Sequence, residues 1–227
     1  MKLSKVISIV FILLSLFGCK KEKIDELQFE KDVLNNVFVE IVDSIYMDRR
    51  VILPPPTPRI DFKTNKEDTI SFHKELKEYW RNRDSIKNDK TRILIGVYDD
   101  VKKISPQETE MIVKKINVSG YSYDISKETE EYKFVFKVFE NNKKFNFQNT
   151  SKYPHEKKWD LNDKSNLLFP VGTISVSRIQ FNKTKTFGIL AAGASCGGGK
   201  CGRGFVIIIE KKSGKWKIAK IIQTWLS

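Results

Sequence analysis

The sequence predicts an α+β fold, with N-terminal helices packed on a C-terminal antiparallel β-meander in a single domain over residues 27–227. Three observations predict it. Apolar residues recur at helical spacing through the first part of the 227-residue chain. From Tyr132 onward, β-branched and aromatic residues gather in short runs. Short polar or Gly-containing connections join these runs, which pairs successive strands antiparallel. Helices first and strands last place the helices on one face of the sheet rather than between its strands. With 40% apolar residues, including 15 Phe, 7 Tyr and 4 Trp, the chain carries enough apolar surface to bury a core.

The first residues read as an export signal. Lys2 and Lys5 form a basic start, Val6 to Phe17 an apolar core, and Gly18 a small residue before Cys19. About twelve apolar residues are too few to cross ~30 Å of hydrocarbon as a helix. Leu16-Phe17-Gly18-Cys19 resembles the lipobox of bacterial lipoproteins, with Phe17 bulkier than the usual residue there. The resemblance covers the first 19 residues. It implies a signal peptide over 1–18, lipid on Cys19, and a polar lipidated tether over 19–26 in the envelope of a diderm bacterium. Lys20 is not the Asp that marks inner-membrane retention in enteric lipoproteins, so the resemblance implies the outer membrane, facing either the periplasm or the medium. Each acyl methylene contributes ~0.8 kcal/mol, and one chain alone is a marginal anchor.

Taken in order, residues 24–46 carry Ile24, Leu27, Leu34, Phe38, Ile41 and Ile45 at helical spacing, with Val37 and Val42 widening the stripe. Pro54-Pro-Pro-Thr-Pro58 is a stiff connector. Phe72, Leu76, Tyr79, Trp80 and Arg83 predict a second helix beginning near Ser71. Residues 91–98 read as a strand, and Asp99-Asp100 as turn formers at its end. Ser105-Pro-Gln-Glu108 is a capping box with Pro at the first helical position, which predicts a helix to about Ile116. Residues 133–139 and 145–147, around Asn141-Asn142, read as a hairpin. A loop holding Tyr153, His155, Trp159 and Phe169 follows. The meander then takes strands over 173–181, 186–194, 205–210 and 216–222.

Of three cysteines, lipid on Cys19 leaves an even pair, Cys196 and Cys201, and an oxidising compartment favours a disulfide between them. Four intervening residues, three of them Gly, let the chain fold back to the ~5.5 Å Cα separation such a bond needs. A zinc site needs more ligands than His73 and His155 supply, so no metal is expected. A phosphate loop requires Gly where Ala194 stands and a hydroxyl residue where Cys201 stands, and it opens a helix rather than a strand. No other cofactor is expected.

The chain carries further resemblances, the first of them from Gly172 onward. Gly172-Thr-Ile-Ser-Val-Ser177, the Cys-Gly pair, Gly214-Lys-Trp-Lys-Ile218 and the terminal Trp225-Leu-Ser227 resemble small uncharacterised lipoproteins of the Bacteroidetes. The Gly-Lys-Trp-Lys-Ile ending also looks like the final strand of cone-shaped domains similar to nuclear transport factor 2. Asp43-Ser-Ile, Asp68-Thr-Ile and Asp84-Ser-Ile each resemble the O-glycosylation sequence of exported Bacteroidetes proteins, which implies sugars on Ser44, Thr69 and Ser85.

The net charge of +13 favours anionic partners, but the basic residues are dispersed among 28 acidic ones with no nucleic-acid motif, so nucleic acid is not an expected partner. The expected function is a membrane-anchored envelope lipoprotein acting as a binding or interaction module, with a protein or an anionic ligand as partner. Two other readings stay open: an enzyme, hydrolase-like, with a pocket in the sheet and His155 as its base, or an immunity or inhibitor lipoprotein that binds a protein. The residues assemble no nucleophile, base and orienter, so the expectation leans away from catalysis.

Overall fold

The computed structural model describes residues 25–52, 54–61, 63–104, 112, 131–153, 170–196 and 201–226. The export segment, the Ser105 capping box, His155, Trp159, Phe169 and Gly197–Gly199 lie outside these residues.

Helix α1 (Glu26–Ile45) begins where Asp25 accepts hydrogen bonds from the backbone N–H groups of Leu27 and Gln28 at 3.0 and 3.2 Å. Its buried face is Glu30, Val33, Leu34, Val37, Phe38, Ile41, Val42 and Ile45, spaced by three and four. A single turn, α2 (Arg49–Ile52), follows. Strands β1 (Ile60–Asp61) and β2 (Lys66–Glu67) form a short hairpin. It leads into α3 (Thr69–Lys87), capped by Asp68, which accepts from the Ser71 N–H at 3.1 Å. Asp68 thus caps the predicted second helix, which begins at Thr69, two residues upstream of the expected start. Helix α3 buries no residue completely, and Trp80 on it is 48% exposed.

The main sheet takes β3 (Ile93–Val97), β6 (Phe145–Asn149), β7 (Gly172–Val176), β8 (Gln180–Phe181), β9 (Phe187–Ser195), β10 (Gly202–Lys212) and β11 (Lys215–Leu226). Its order is β11-β10-β9-β7-β3-β6, with β8 paired to β9. Strands β7 to β11 are antiparallel throughout, as the short connections predict. A separate ladder joins β4 (Asp100–Val101) to β5 (Tyr132–Lys133). The molecule is therefore α+β, helices first and sheet last.

One expectation fails. Residues 133–147 do not form a hairpin. Strand β5 pairs with β4, Phe136–Phe139 is a 3₁₀ turn, and β6 lies parallel to β3. Alternating Phe and Val gives this segment strand propensity, and packing overrides it. In a 3₁₀ turn residues three apart share a side, so Phe136 and Phe139 face inward while Val135 and Val138 stay 63% and 61% exposed. Phe38 of α1 receives Phe134, Phe139 and Phe147 at ring separations of 4.6, 5.3 and 5.3 Å.

Helix α1 covers one face of the sheet against Ile95, Val97, Ile174, Leu190, Ala192, Ile207, Ile209 and Trp216. On the other face, Ile104 and Ile112 cluster with Ile189, Val206 and Ile208. Burial on both faces explains why β10 carries an unbroken apolar run from Phe205 to Ile209. Helix α1 packs against β11. Its start meets the β8–β9 turn, where Phe29 packs on Phe181 at 5.1 Å. Its exit reaches the other end of the sheet. There a Cβ on Gly172 would collide with the carbonyl oxygens of Met47 and Ser195, so only glycine lets the three segments meet.

Candidate functional site

The most unusual chemistry among the described residues is a buried charge cluster beneath α1. Glu30 and Arg178 are 4% and 3% exposed, which ordinary polar residues are not. The Arg178 guanidinium donates through Nε and Nη2 to the two carboxylate oxygens at 2.7 and 2.6 Å, a bidentate pairing. The Ile179 N–H adds a third donor to Glu30 at 2.9 Å. Arg178 sits between β7 and β8, and its own N–H donates to the Lys102 carbonyl at 2.8 Å. Tyr132 of β5 lays its ring 5.0 Å from the guanidinium carbon of Arg178 and 5.2 Å from Nζ of Lys31. The Tyr132 hydroxyl is buried, with no hydrogen-bond partner among the described residues. Burial first, and the negative charge of Glu30 second, push its phenol well above the ordinary range.

Chemically this cluster is a fastener. A carboxylate whose oxygens both accept from one guanidinium, sealed from solvent, has neither the reach nor the free lone pairs of a general base. It ties α1 to the β7–β8 connection and, through the stacked Tyr132, to β5. The sequence holds a signal for Glu30, because it falls three residues after Leu27 and four before Leu34, on the apolar stripe. Its partner lies 148 residues away, which no local pattern reveals.

Asp99 and Asp100 are brought together with Lys133, whose ammonium lies 3.3 Å from Asp99 and 2.6 Å from Asp100. The lysine hydrogen bond holds the Asp100 carboxyl below its usual range. These acids therefore serve a surface ion pair across the β4–β5 ladder. His73 is exposed on α3. Among the described residues no three metal-ligating side chains gather, and no helix is long and apolar enough to cross a membrane.

Cys196 and Cys201 form a disulfide, with Cα atoms 5.7 Å apart, closing the connection between β9 and β10. The Cys196 N–H donates to Sγ of Cys201 at 3.1 Å. Beside it the indole of Trp225 lies where a side chain on Gly204 would stand, and Trp225 and Leu226 are 52% and 66% exposed. Ser44, Thr69 and Ser85 are all exposed. Ser44 donates to the Glu40 carbonyl at 2.7 Å, and the neighbouring Asp43 pairs with Lys144. Cys19 lies outside the described residues. Set against protein families, curated proteins and solved structures, the chain matches none.

Proposed function

We propose that this chain is an envelope lipoprotein, anchored in the outer membrane through lipid on Cys19, whose α+β body is a binding module rather than an enzyme. The observation that carries the reading is the cysteine arrangement. The disulfide accounts for Cys196 and Cys201, and the third cysteine stands immediately after Gly18, at the end of an export-type apolar segment. An oxidising compartment favours the first feature, and export supplies that compartment. The commitment of Glu30 and Arg178 to each other adds support for a scaffold role, since the buried carboxylate is held as a structural partner.

The test is metabolic labelling of producing cells with an alkyne fatty acid. The wild-type chain takes up label and partitions with outer membranes. The Cys19→Ala chain takes up none. Equal labelling of the two chains contradicts the reading.

A further inference from the structure

Two turns and a helix start meet at one end of the sheet. The β8–β9 turn carries Lys183 and Lys185, and the end of β10 carries Lys211 and Lys212. The start of β11 adds Lys215 and Lys217. Their proximity is fixed by the ladder. Lys211 donates its N–H to the Thr186 carbonyl at 2.8 Å, and Lys212 pairs directly with Lys215 across the Ser213-Gly214 turn. That turn has positive φ at both residues, 51° and 80°, the geometry of a tight two-residue hairpin. Helix α1 starts here too: Lys185 lies 3.7 Å from Glu26 and 4.9 Å from the Phe29 ring centre.

The acids at this end do not balance the lysines. Glu26 faces Lys185, Asp25 is spent on capping α1, and half-buried Glu210 pairs across from Lys217. Lys183, Lys211, Lys212 and Lys215 are exposed, and none forms an ion pair among the described residues. Like charges placed directly opposite on neighbouring strands destabilise a hairpin, so the Lys212–Lys215 pair carries a standing cost that an anionic surface relieves.

Position supplies the second argument. Five residues lie between Cys19 and Asp25, and six steps of ~3.5 Å reach at most roughly 20 Å. The tether itself adds Lys20, Lys21 and Lys23 against Glu22. Strand β9 spans nine residues, so at ~3.3 Å each the disulfide end stands roughly 30 Å from the lysine end. A chain held by lipid at Cys19 therefore keeps its lysine end nearest the headgroups and carries its disulfide end away from them.

We propose that the lysine-rich end, Lys183, Lys211, Lys212 and Lys215 above all, is a membrane-facing surface that binds anionic phospholipid headgroups. This rests on the lipid-anchor reading for its orientation, and its own chemistry is that of a polybasic surface beside an anchor.

The test uses the mature chain carrying Cys19→Ser, so that no lipid can supply the binding. It is sedimented with vesicles of phosphatidylcholine alone or of phosphatidylcholine mixed equally with phosphatidylglycerol. The chain binds the mixed vesicles, releases them as salt rises, and ignores phosphatidylcholine. Changing the four lysines to Gln weakens binding by about tenfold or more, each exposed lysine near an anionic surface being worth up to roughly a fivefold factor before screening. Changing the same four to Arg preserves binding. Changing Lys74, Lys77, Lys87 and Lys90, exposed on and just after α3, to Gln preserves most of it. Equal loss from the two Gln sets, loss in the Arg set, or binding to soluble dextran sulfate without binding to mixed vesicles each overturns the proposal. Lipid found on wild-type Cys19 together with no vesicle binding by the Cys19→Ser chain removes this inference and leaves the anchor. An unlipidated wild type with vesicle binding intact removes the anchor and leaves the surface.

Discussion

At the scale of single residues, the Glu30–Arg178 pair is a buried, bidentate fastener between α1 and the β7–β8 connection. Sealing two charges from water costs several kcal/mol each, and a bidentate geometry with an added backbone donor offsets most of that. Removing one partner strands the other. Glu30→Ala or Arg178→Ala is expected to lower unfolding free energy by about 3–5 kcal/mol, read from urea midpoints at unchanged slope. Replacing both together, Glu30→Leu with Arg178→Met, is expected to recover most of that loss. A double variant as unstable as the sum of the singles contradicts the account of a compensated pair.

Tyr132 gives this cluster a pH signature. Its phenol is raised above the ordinary value by burial and by Glu30. Above about pH 10 the unfolded chain releases the proton while the folded chain keeps it. The unfolded state is thereby favoured, so stability falls as pH climbs through that range and is intact below it. Tyr132→Phe is expected to leave stability near pH 7 almost unchanged, because the hydroxyl has no partner to lose among the described residues. It should also flatten the decline above about pH 10, followed by denaturant titration at each pH. Identical declines in the two proteins would show that Tyr132 titrates normally in the fold.

At the scale of elements, helices and meander were legible for different reasons. Helix α1 announces itself through an apolar stripe, and β9, β10 and β11 through β-branched runs with short connections between them. The parallel neighbours of β3 were not legible. Strands β6 and β7 reach it through connections dozens and about twenty residues long, and the Phe-rich segment between β5 and β6 has local strand propensity that the aromatic cluster on Phe38 overrides. The disulfide was legible from cysteine count and glycine spacing, whereas the Glu30–Arg178 pair needed the fold. By the chain-entropy argument, closing a loop as short as Cys196–Cys201 contributes about 2 kcal/mol. Thiol titration of the unreduced chain under denaturing conditions is expected to find neither sulfur free. Reduction should lower the urea midpoint by that modest amount and leave the chain folded. Two free thiols before reduction would remove the bond.

At the scale of the whole molecule, the sheet is polarised. One end gathers lysines and the start of α1. The other end holds the disulfide, the exposed Trp225 and Leu226, and the exit of α1 beside Gly172. The proposed anchor at the first end would account for this distribution: charge would stand at the headgroups and the covalently closed hairpin farthest from them. The lysine cluster becomes visible only when β9, β10 and β11 are paired, because along the sequence Lys183 and Lys185 stand 26 or more residues before Lys211 and the lysines form no long run. The proposed orientation, with the hairpin outward, depends on a lipid at residue 19.

The most direct test of that dependence is the intact mass and N-terminal peptide of the mature chain purified from membranes in detergent. The account predicts a chain beginning at Cys19, with the mass of its sequence plus acyl chains carried on that residue, and no such species from Cys19→Ala. A mature chain that retains residues 1–18, or that begins elsewhere and carries no lipid, contradicts it.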